Sequence, residues 1–435
     1  MKKMTEKQIE IFKTLVMWAL ILVSFGIVCI ILVLWASGLR YNFKANKWQK
    51  TGLVYLDCEP DSVDIYVDKN LVKTKTPSSI KLIPGEYQII IKENNYTNWQ
   101  ENVQIEAGKV KKFENIILFR SNPEQTEIDK KISQFQNSPD REKIIYLSQK
   151  LYLYNLKSKS TKELNIIPKN LKIIEWSNNS SQLLIHNNKT YYIYNLENNI
   201  FTNLKKIKNP LKISFQPTDS NILIYQTNKI LYNYNLNTKI TKILINNIEN
   251  FFISENNIIY IIKEKNDYNL YKANFSFRTK QQLAKLKNPK YKIYAKNSFI
   301  ALLDENKNLY FLTNSKLRKI NSNVKILNWS EILKYFGLIK KSRLLYQTVL
   351  DELYSFDPEK NENILVYRAS QPIIKIDWYL SLNHIVFNTN DELKIIEING
   401  KNENTFAKSR EFEIISDKEI LFLDPDYTLK IVNIR

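Results

Sequence analysis

The stretch Leu151-Tyr-Leu-Tyr-Asn-Leu156 returns as Tyr191-Tyr-Ile-Tyr-Asn-Leu196 and again as Leu231-Tyr-Asn-Tyr-Asn-Leu236. Weaker copies stand at Leu270-Tyr271, Leu309-Tyr310, Leu353-Tyr354, Leu393-Lys394 and Leu429-Lys430. Successive copies are 40, 40, 39, 39, 44, 40 and 36 residues apart. A fixed period near 40 marks a repeat architecture. The best-kept copy has short apolar runs at 173–177, 182–186, 190–196 and 201–205, separated by Asn, Ser and Lys. Four short strands per repeat with no helical period between them predict radial blades rather than a helical solenoid.

Eight copies predict eight blades, or seven if one degenerate copy is not a blade. The last copy supplies only 411–415, 419–423 and 428–434 before the chain ends at Arg435. It is therefore expected to be three-stranded or patched by the segment 120–130. An aromatic residue recurs at the end of the first run, as Phe135, Trp176, Phe215, Trp329 and Trp378. The third run carries Tyr152, Tyr192, Tyr232, Tyr271, Tyr310 and Tyr354. Their spacing follows the repeat, so both sets read as blade-to-blade core. The longest interval, between Leu309 and Leu353, carries extra residues at 331–341, the expected protruding loop or short helix and a natural place for binding. The fragments Phe135-Gln-Asn-Ser-Pro-Asp140 and Phe215-Gln-Pro-Thr-Asp219 resemble the WSPDG turn of TolB-like and WD40-like β-propellers, although both lack its Gly. That resemblance implies a propeller over 131–435 and says little about function.

Ahead of the repeats, 51–119 reads as about six short strands, a small all-β sandwich. Three of the chain's seven Gly fall here, at Gly52, Gly85 and Gly108. The segment is similar to a PEGA domain. The resemblance rests on the opening Gly52-x-Val54 and the turn Pro60-Asp-Ser-Val63 in place of the naming tetrad. It also rests on Asp68-Lys-Asn70 before Thr76-Pro77, on Pro84-Gly85-x-Tyr87 and on the closing Tyr96-x-x-Trp99. Ser62 and Val63 replace the family's Gly-Ala, and Asn70 replaces a usual hairpin Gly; Asn tolerates left-handed backbone. The resemblance implies a non-catalytic spacer or adhesion module outside the cytoplasm, beside a membrane anchor.

Such an anchor is predicted at 14–36, between a short tail, 1–13, and a juxtamembrane segment, 37–50. Thr14 to Trp35 is a run of 22 residues without a charge. As a helix it spans roughly 33 Å, enough for a bilayer core. Leu22, Phe25 and Ile30 lie within it, and Trp18 and Trp35 lie towards its ends, where indole rings favour the interface. A signal peptide is the alternative, but its apolar region is usually shorter. Lys2, Lys3, Lys7 and Lys13 precede the run, and Arg40, Lys44, Lys47 and Lys50 follow it, so charge does not orient it.

The formal charge of +20 is diffuse. Residues 51–120 carry 9 basic and 10 acidic side chains, and 121–435 carry 47 and 32 without dense basic runs. Nucleic acid is not the expected partner; Lys, Asn, Ile and Tyr are what AT-rich codons supply. Cys29 and Cys58 make no disulfide framework, and Cys58 reads as a small buried hydrophobe. The acids Asp57, Glu59, Asp61, Asp64 and Asp68 match no calcium-loop spacing. His186 and His384 sit in second runs of separate repeats, and no nucleophile elbow, phosphate loop or zinc spacing occurs. No catalytic, cofactor or metal residue is therefore assigned. The sequence reads as an all-β protein with one transmembrane helix, a PEGA-like sandwich and a 7–8-bladed propeller. The expected role is non-catalytic recognition of a protein or an envelope glycan from the outer face of a bacterial membrane. The alternatives are a propeller hydrolase, which needs converging carboxylates or a metal on the inner strands, and an accessory subunit of an envelope assembly or secretion machine.

Overall fold

Every copy of the repeated phrase falls on the third strand of a four-stranded antiparallel sheet in the computed structural model, which describes residues 6–36, 38–42, 46–164, 170–188, 190–296, 298–329, 334–335, 338–339, 343–379, 383–390 and 392–435. The chain divides into two units, Met1–Asn122 and Pro123–Arg435.

In the second unit eight four-stranded sheets form blades 1 to 8, at 134–164, 172–203, 212–246, 248–286, 291–321, 324–368, 373–407 and 411–433. The period-two alternation of a strand explains the repeated phrase. Its Leu points to the following blade: Leu151 packs with Ile173 and Ile185 of blade 2. Its Tyr points to the preceding one: Tyr232 packs with Leu184 and Ile193 of blade 2, and Tyr310 with Ile259 and Leu270 of blade 4. Each Tyr also meets an aromatic of its own blade. Tyr152 stacks on Tyr146 at 5.3 Å, Tyr271 on Tyr260 at 5.7 Å and Tyr354 on Tyr346 at 5.2 Å. Such pairs add roughly 0.5–1.5 kcal/mol each beyond the area they bury.

The last blade contributes three strands of its own, and the fourth comes from the other end of the unit. Glu124–Asp129 pairs antiparallel with the third strand of blade 8, so the outermost strand of the last blade is the first of the ring. Most of 120–130, expected as a linker, is therefore propeller. Gln-Thr-Glu is an exposed edge with no apolar alternation, so it lacks a strand signature. Of the extra residues at 331–341, Lys334–Tyr335 pairs with Leu338–Ile339 as a two-residue antiparallel ladder, and the remainder lie outside the described residues.

In the first unit helix α1 runs from Glu6 to Ala36, starting before the expected Thr14. Phe12–Leu34 has a mean hydropathy of 3.0 and is long and apolar enough to cross a membrane. Trp18, Leu22, Phe25 and Ile30 are uncovered along it, while the side chain of Trp35 lies outside the described residues. Strands β1 (Leu39–Asn42) and β2 (Lys47–Lys50) form a hairpin where a plain juxtamembrane segment was expected.

The sandwich holds seven strands: β3 (Gly52–Glu59), β4 (Asp64–Val67), β5 (Asn70–Lys75), β6 (Ser78–Leu82), β7 (Gly85–Lys92), β8 (Trp99–Ile105) and β9 (Val110–Ile117). The sheets run β6-β3-β9, with β3 and β9 parallel, and β5-β4-β7-β8. The unexpected strand is β5, which is polar and exposed. Alternate residues of both sheets, from Val54, Leu56 and Cys58 to Trp99 and Val103, fill the core. Gly52 is fixed by close approach, since a Cβ there would stand 2.5 Å from the carbonyl oxygen of Glu106. Trp99 is buried edge-on to Phe113 at 5.3 Å, and the Tyr87 hydroxyl donates to the Ile83 carbonyl at 2.9 Å. The left-handed residues of the 68–70 turn are Asp68 and Lys69, not Asn70, which opens β5. Ser62 keeps a left-handed backbone, with φ 62°, at the position where the family carries Gly.

Candidate functional site

The channel of the propeller is lined by the first strand of each blade, and the walls near its mouth are polar. Strand register sorts the first-strand residues into two rings. The residue paired with the first or second residue of strand two is Asn137, Trp176, Ile253, Ala295, Trp329, Trp378 or Ile414 in blades 1, 2 and 4 to 8, and Phe215, paired with Leu223 within the longer second strand of blade 3, completes the set. Phe135 does not belong to this set. It pairs with Tyr146, two positions earlier, as Phe251 pairs with Tyr260 and Phe412 with Phe422. The expected aromatic series was thus two residues out of register in blade 1, where Asn137 takes the place of the ring.

The residue just before this position faces the channel. The series runs Gln136, Glu175, Ser214, Phe252, Tyr294, Asn328, Asp377 and Glu413. All but Ser214 line a cavity of about 650 Å³, together with Trp176, Trp329, Trp378 and Lys375. Three carboxylates from blades 2, 7 and 8 thus reach one cavity, although the sequence separates Glu175 from Glu413 by most of the propeller.

These polar side chains bond the blades to one another. Gln134 Nε2 donates to the Ile173 carbonyl at 2.6 Å, and the Ile173 N–H donates back to Gln134 Oε1 at 2.9 Å. Ser214 Oγ donates to Glu175 at 2.8 Å, and the Phe215 N–H donates to the same carboxylate. Lys212 Nζ donates to the Phe251 carbonyl at 2.7 Å, and Asn250 Nδ2 to the Tyr291 carbonyl at 2.8 Å. Asn328 Nδ2 donates to Asp377 Oδ1 at 2.7 Å. Across the closing seam, from blade 8 to blade 1, the Asn137 N–H donates to Glu413 Oε2 at 2.6 Å. Between blades 5 and 6 Asn321 Nδ2 donates to the Tyr346 hydroxyl at 3.0 Å, and Phe299 stacks on Trp329 at 6.1 Å.

Burial sets the charge of these groups. It pushes the Glu413 carboxyl up to about 7, against the opposing pull of Lys375 and the Asn137 N–H. It also raises Glu175, opposed by the Phe215 N–H, Ser214 and Lys212, and it lowers Lys212, opposed by Glu175. No group of three or more His, Cys, Asp or Glu able to hold a metal occurs among the described residues. His384, in the second strand of blade 7, is pushed down to about 3 by burial and then by the Arg435 charge, so it is neutral. His186 stacks on Tyr191 at 4.3 Å. Asp424 accepts from the Asp426 and Thr428 N–H groups, which makes it a turn residue. In the sandwich, Asp64 pairs with Lys75 at 3.2 Å, Asp68 accepts from the Gln88 N–H, and burial holds the Cys58 thiol up at about 12, an inert group.

Residues 51–117 match the family model of the PEGA domain. No curated protein matches the chain in sequence. Solved structures match it across the propeller. A eukaryotic initiation factor aligns at a TM-score of 0.52 and 13% identity, over 73% of this chain and 88% of that one. The C-terminal WD40 domain of Sif2 aligns at a TM-score of 0.50 and 9% identity, over 72% and 99%. An oligogalacturonate lyase in complex with manganese aligns at 0.42 and 11%, over 72% and 98%, too loosely to bear on chemistry. At these identities the likeness is one of fold. The chain therefore combines an N-terminal apolar helix, a PEGA domain and a WD40-like β-propeller, a combination that fits a binding or scaffold role.

Proposed function

We propose that the protein is a membrane-anchored, extracytoplasmic binding protein. In this reading α1 holds it in the bilayer, the PEGA domain stands at the surface, and the propeller recognises a protein or a cell-envelope glycan without turning it over. The observation that carries the reading is the occupancy of the channel side chains. Of the polar side chains that line the cavity, Glu175, Asn328, Asp377 and Glu413 are each engaged in a bond to the neighbouring blade. Such groups stiffen a wall; they are poorly placed to move protons on a substrate. What the cavity offers a ligand is the half-buried rings of Phe252 and Tyr294 with the amides of Gln136, Asn137 and Asn328, the mixture that binding sites use for contact and orientation. The apolar helix and the PEGA domain support the envelope setting.

One observation favours a second reading, a hydrolase acting on envelope glycan or peptide. A carboxyl held near 7 beside a second acid, Asp377, is the tuning that acid–base catalysis needs at neutral pH. The two readings separate in one experiment. Full-length protein in nanodiscs is incubated with solubilised envelope polysaccharide and protein fractions, and both retention and released fragments are measured. The binding reading expects retention that is lost in Tyr294→Ala, a half-buried cavity ring, and kept in Glu413→Gln. Fragments released by the wild type and not by Glu413→Gln would replace it with the hydrolase.

A further inference from the structure

The hairpin β1–β2 stands out among the described residues because its second strand is largely exposed. It is a two-stranded sheet on its own, and an isolated hairpin of this size is marginal in water. Its base is nevertheless fixed. Gly38 turns with φ +77°, and its carbonyl accepts from Thr51 N at 2.9 Å and from Thr51 Oγ1 at 3.1 Å. The Thr51 carbonyl in turn accepts from the Gly108 N–H at 3.1 Å, which ties the hairpin to the PEGA domain. Tyr41 and Trp48 are cross-strand partners, edge to face at 5.5 Å, and the Tyr41 hydroxyl donates to Asn46 Oδ1. Trp48 is still 57% exposed. Lys47 and Lys50 are exposed beside it, and Arg40 shares the hairpin.

The position of the hairpin says what covers it. The apolar stretch of α1 ends at Leu34, and Gly38 follows four residues later. At about 1.5 Å per residue the hairpin starts within roughly 6 Å of the end of the apolar run. That is the depth at which Trp and Tyr settle between acyl chains and water. It is also the layer in which each Lys or Arg is drawn to anionic headgroups.

We propose that residues 39–50 form a membrane-interface element. The Tyr41–Trp48 face beds in the headgroup layer, and Lys50 on that same face, with the long exposed side chain of Lys47 next to the turn, takes the phosphates of anionic phospholipids. The Gly38–Thr51–Gly108 bonds then hold the PEGA domain at the bilayer surface instead of on a free tether. The inference rests on the anchor reading of α1 and extends it from the helix to the lipid headgroup.

Hydrogen–deuterium exchange of the full chain tests it, in nanodiscs of phosphatidylcholine alone and of phosphatidylcholine with phosphatidylglycerol. Peptides from 39–50 are expected to exchange of order tenfold more slowly in the anionic discs. The difference should vanish in Lys47→Glu/Lys50→Glu, and protection should fall in both discs in Trp48→Ala, while peptides from 52–117 stay unchanged and report an intact PEGA domain. A protected α1 with a hairpin indifferent to lipid and to both variants would overturn the hairpin inference alone. An unprotected α1, or a chain that stays outside the discs, would overturn the anchor reading and the hairpin with it.

Discussion

The first and third strands of a blade repeat different things. The third strand repeats side chains: a buried Leu facing one neighbour and a Tyr facing the other, in nearly every blade. The first strand repeats only a geometry. Its channel position holds Gln136, Glu175, Ser214, Phe252, Tyr294, Asn328, Asp377 and Glu413, eight residues of seven types. The third strand meets the same environment at every step around the ring, so one solution serves every blade. The first strand borders a shared space in which each blade has a different neighbour across the channel. Uniformity there would place eight like groups together, and variety is what shapes a site.

That contrast can be broken by mutation, and the largest effect is expected in the third strand. Leu353, fully buried between blades, should lose about 2–5 kcal/mol on truncation to Ala. Denaturant unfolding of the full chain checks this, and a change within experimental scatter would remove the packing role of the phrase.

A smaller effect is expected from Glu413, and its sign is set by the direction of the shift. A carboxyl whose folded value is raised holds its proton more tightly when folded. Its contribution to stability is complete below the unfolded value of about 4.5 and is lost as pH rises through about 7. Glu413→Gln keeps an acceptor for the Asn137 N–H without the charge. The variant should match the wild type at pH 4 and exceed it by about 1–3 kcal/mol at pH 8. Parallel melting curves across pH 4–8 would show that Glu413 is not held neutral by burial.

The smallest effect belongs to a single interblade bond. Asn328→Ala removes the donor to Asp377 and should cost about 0.5–1.5 kcal/mol in the same unfolding assay. A loss as large as that of Leu353→Ala would erase the distinction between the two strands.

What was legible in the sequence follows the same division. The 40-residue phase and the Leu-Tyr alternation are local, and they located the blades and their third strands. The PEGA segment was legible through Gly52 and Trp99, each with a reason visible in the core: no room for a Cβ, and a ring closing the sandwich. The closing strand Glu124–Asp129 was legible only as one of two outcomes for the last blade, a patch from the segment 120–130, and not in its bounds. It is exposed, and its only partner lies about 300 residues away, so neither alternation nor proximity marks it. The left-handed turn at Asp68-Lys69 was misplaced by one residue, because Asn70 looks the better left-handed residue and the register of β4 against β5 decides otherwise. Phe135 was misaligned by two residues because it is the aromatic ring nearest the place that Asn137 holds, and strand register, not ring chemistry, decides the position. The channel carboxylates could not be seen at all as a group. Each is an ordinary charged residue in its own repeat, and only closure of the ring brings Glu175, Asp377 and Glu413 to one cavity.

The most direct test of a channel that binds without turnover is retention of envelope material by the full chain in nanodiscs, compared between wild type and Tyr294→Ala. The account expects material bound by the wild type, recovered intact, and bound at least tenfold less by the variant, as loss of an aromatic contact implies. Equal retention by both proteins, or recovery of the material as cleaved fragments, would contradict it.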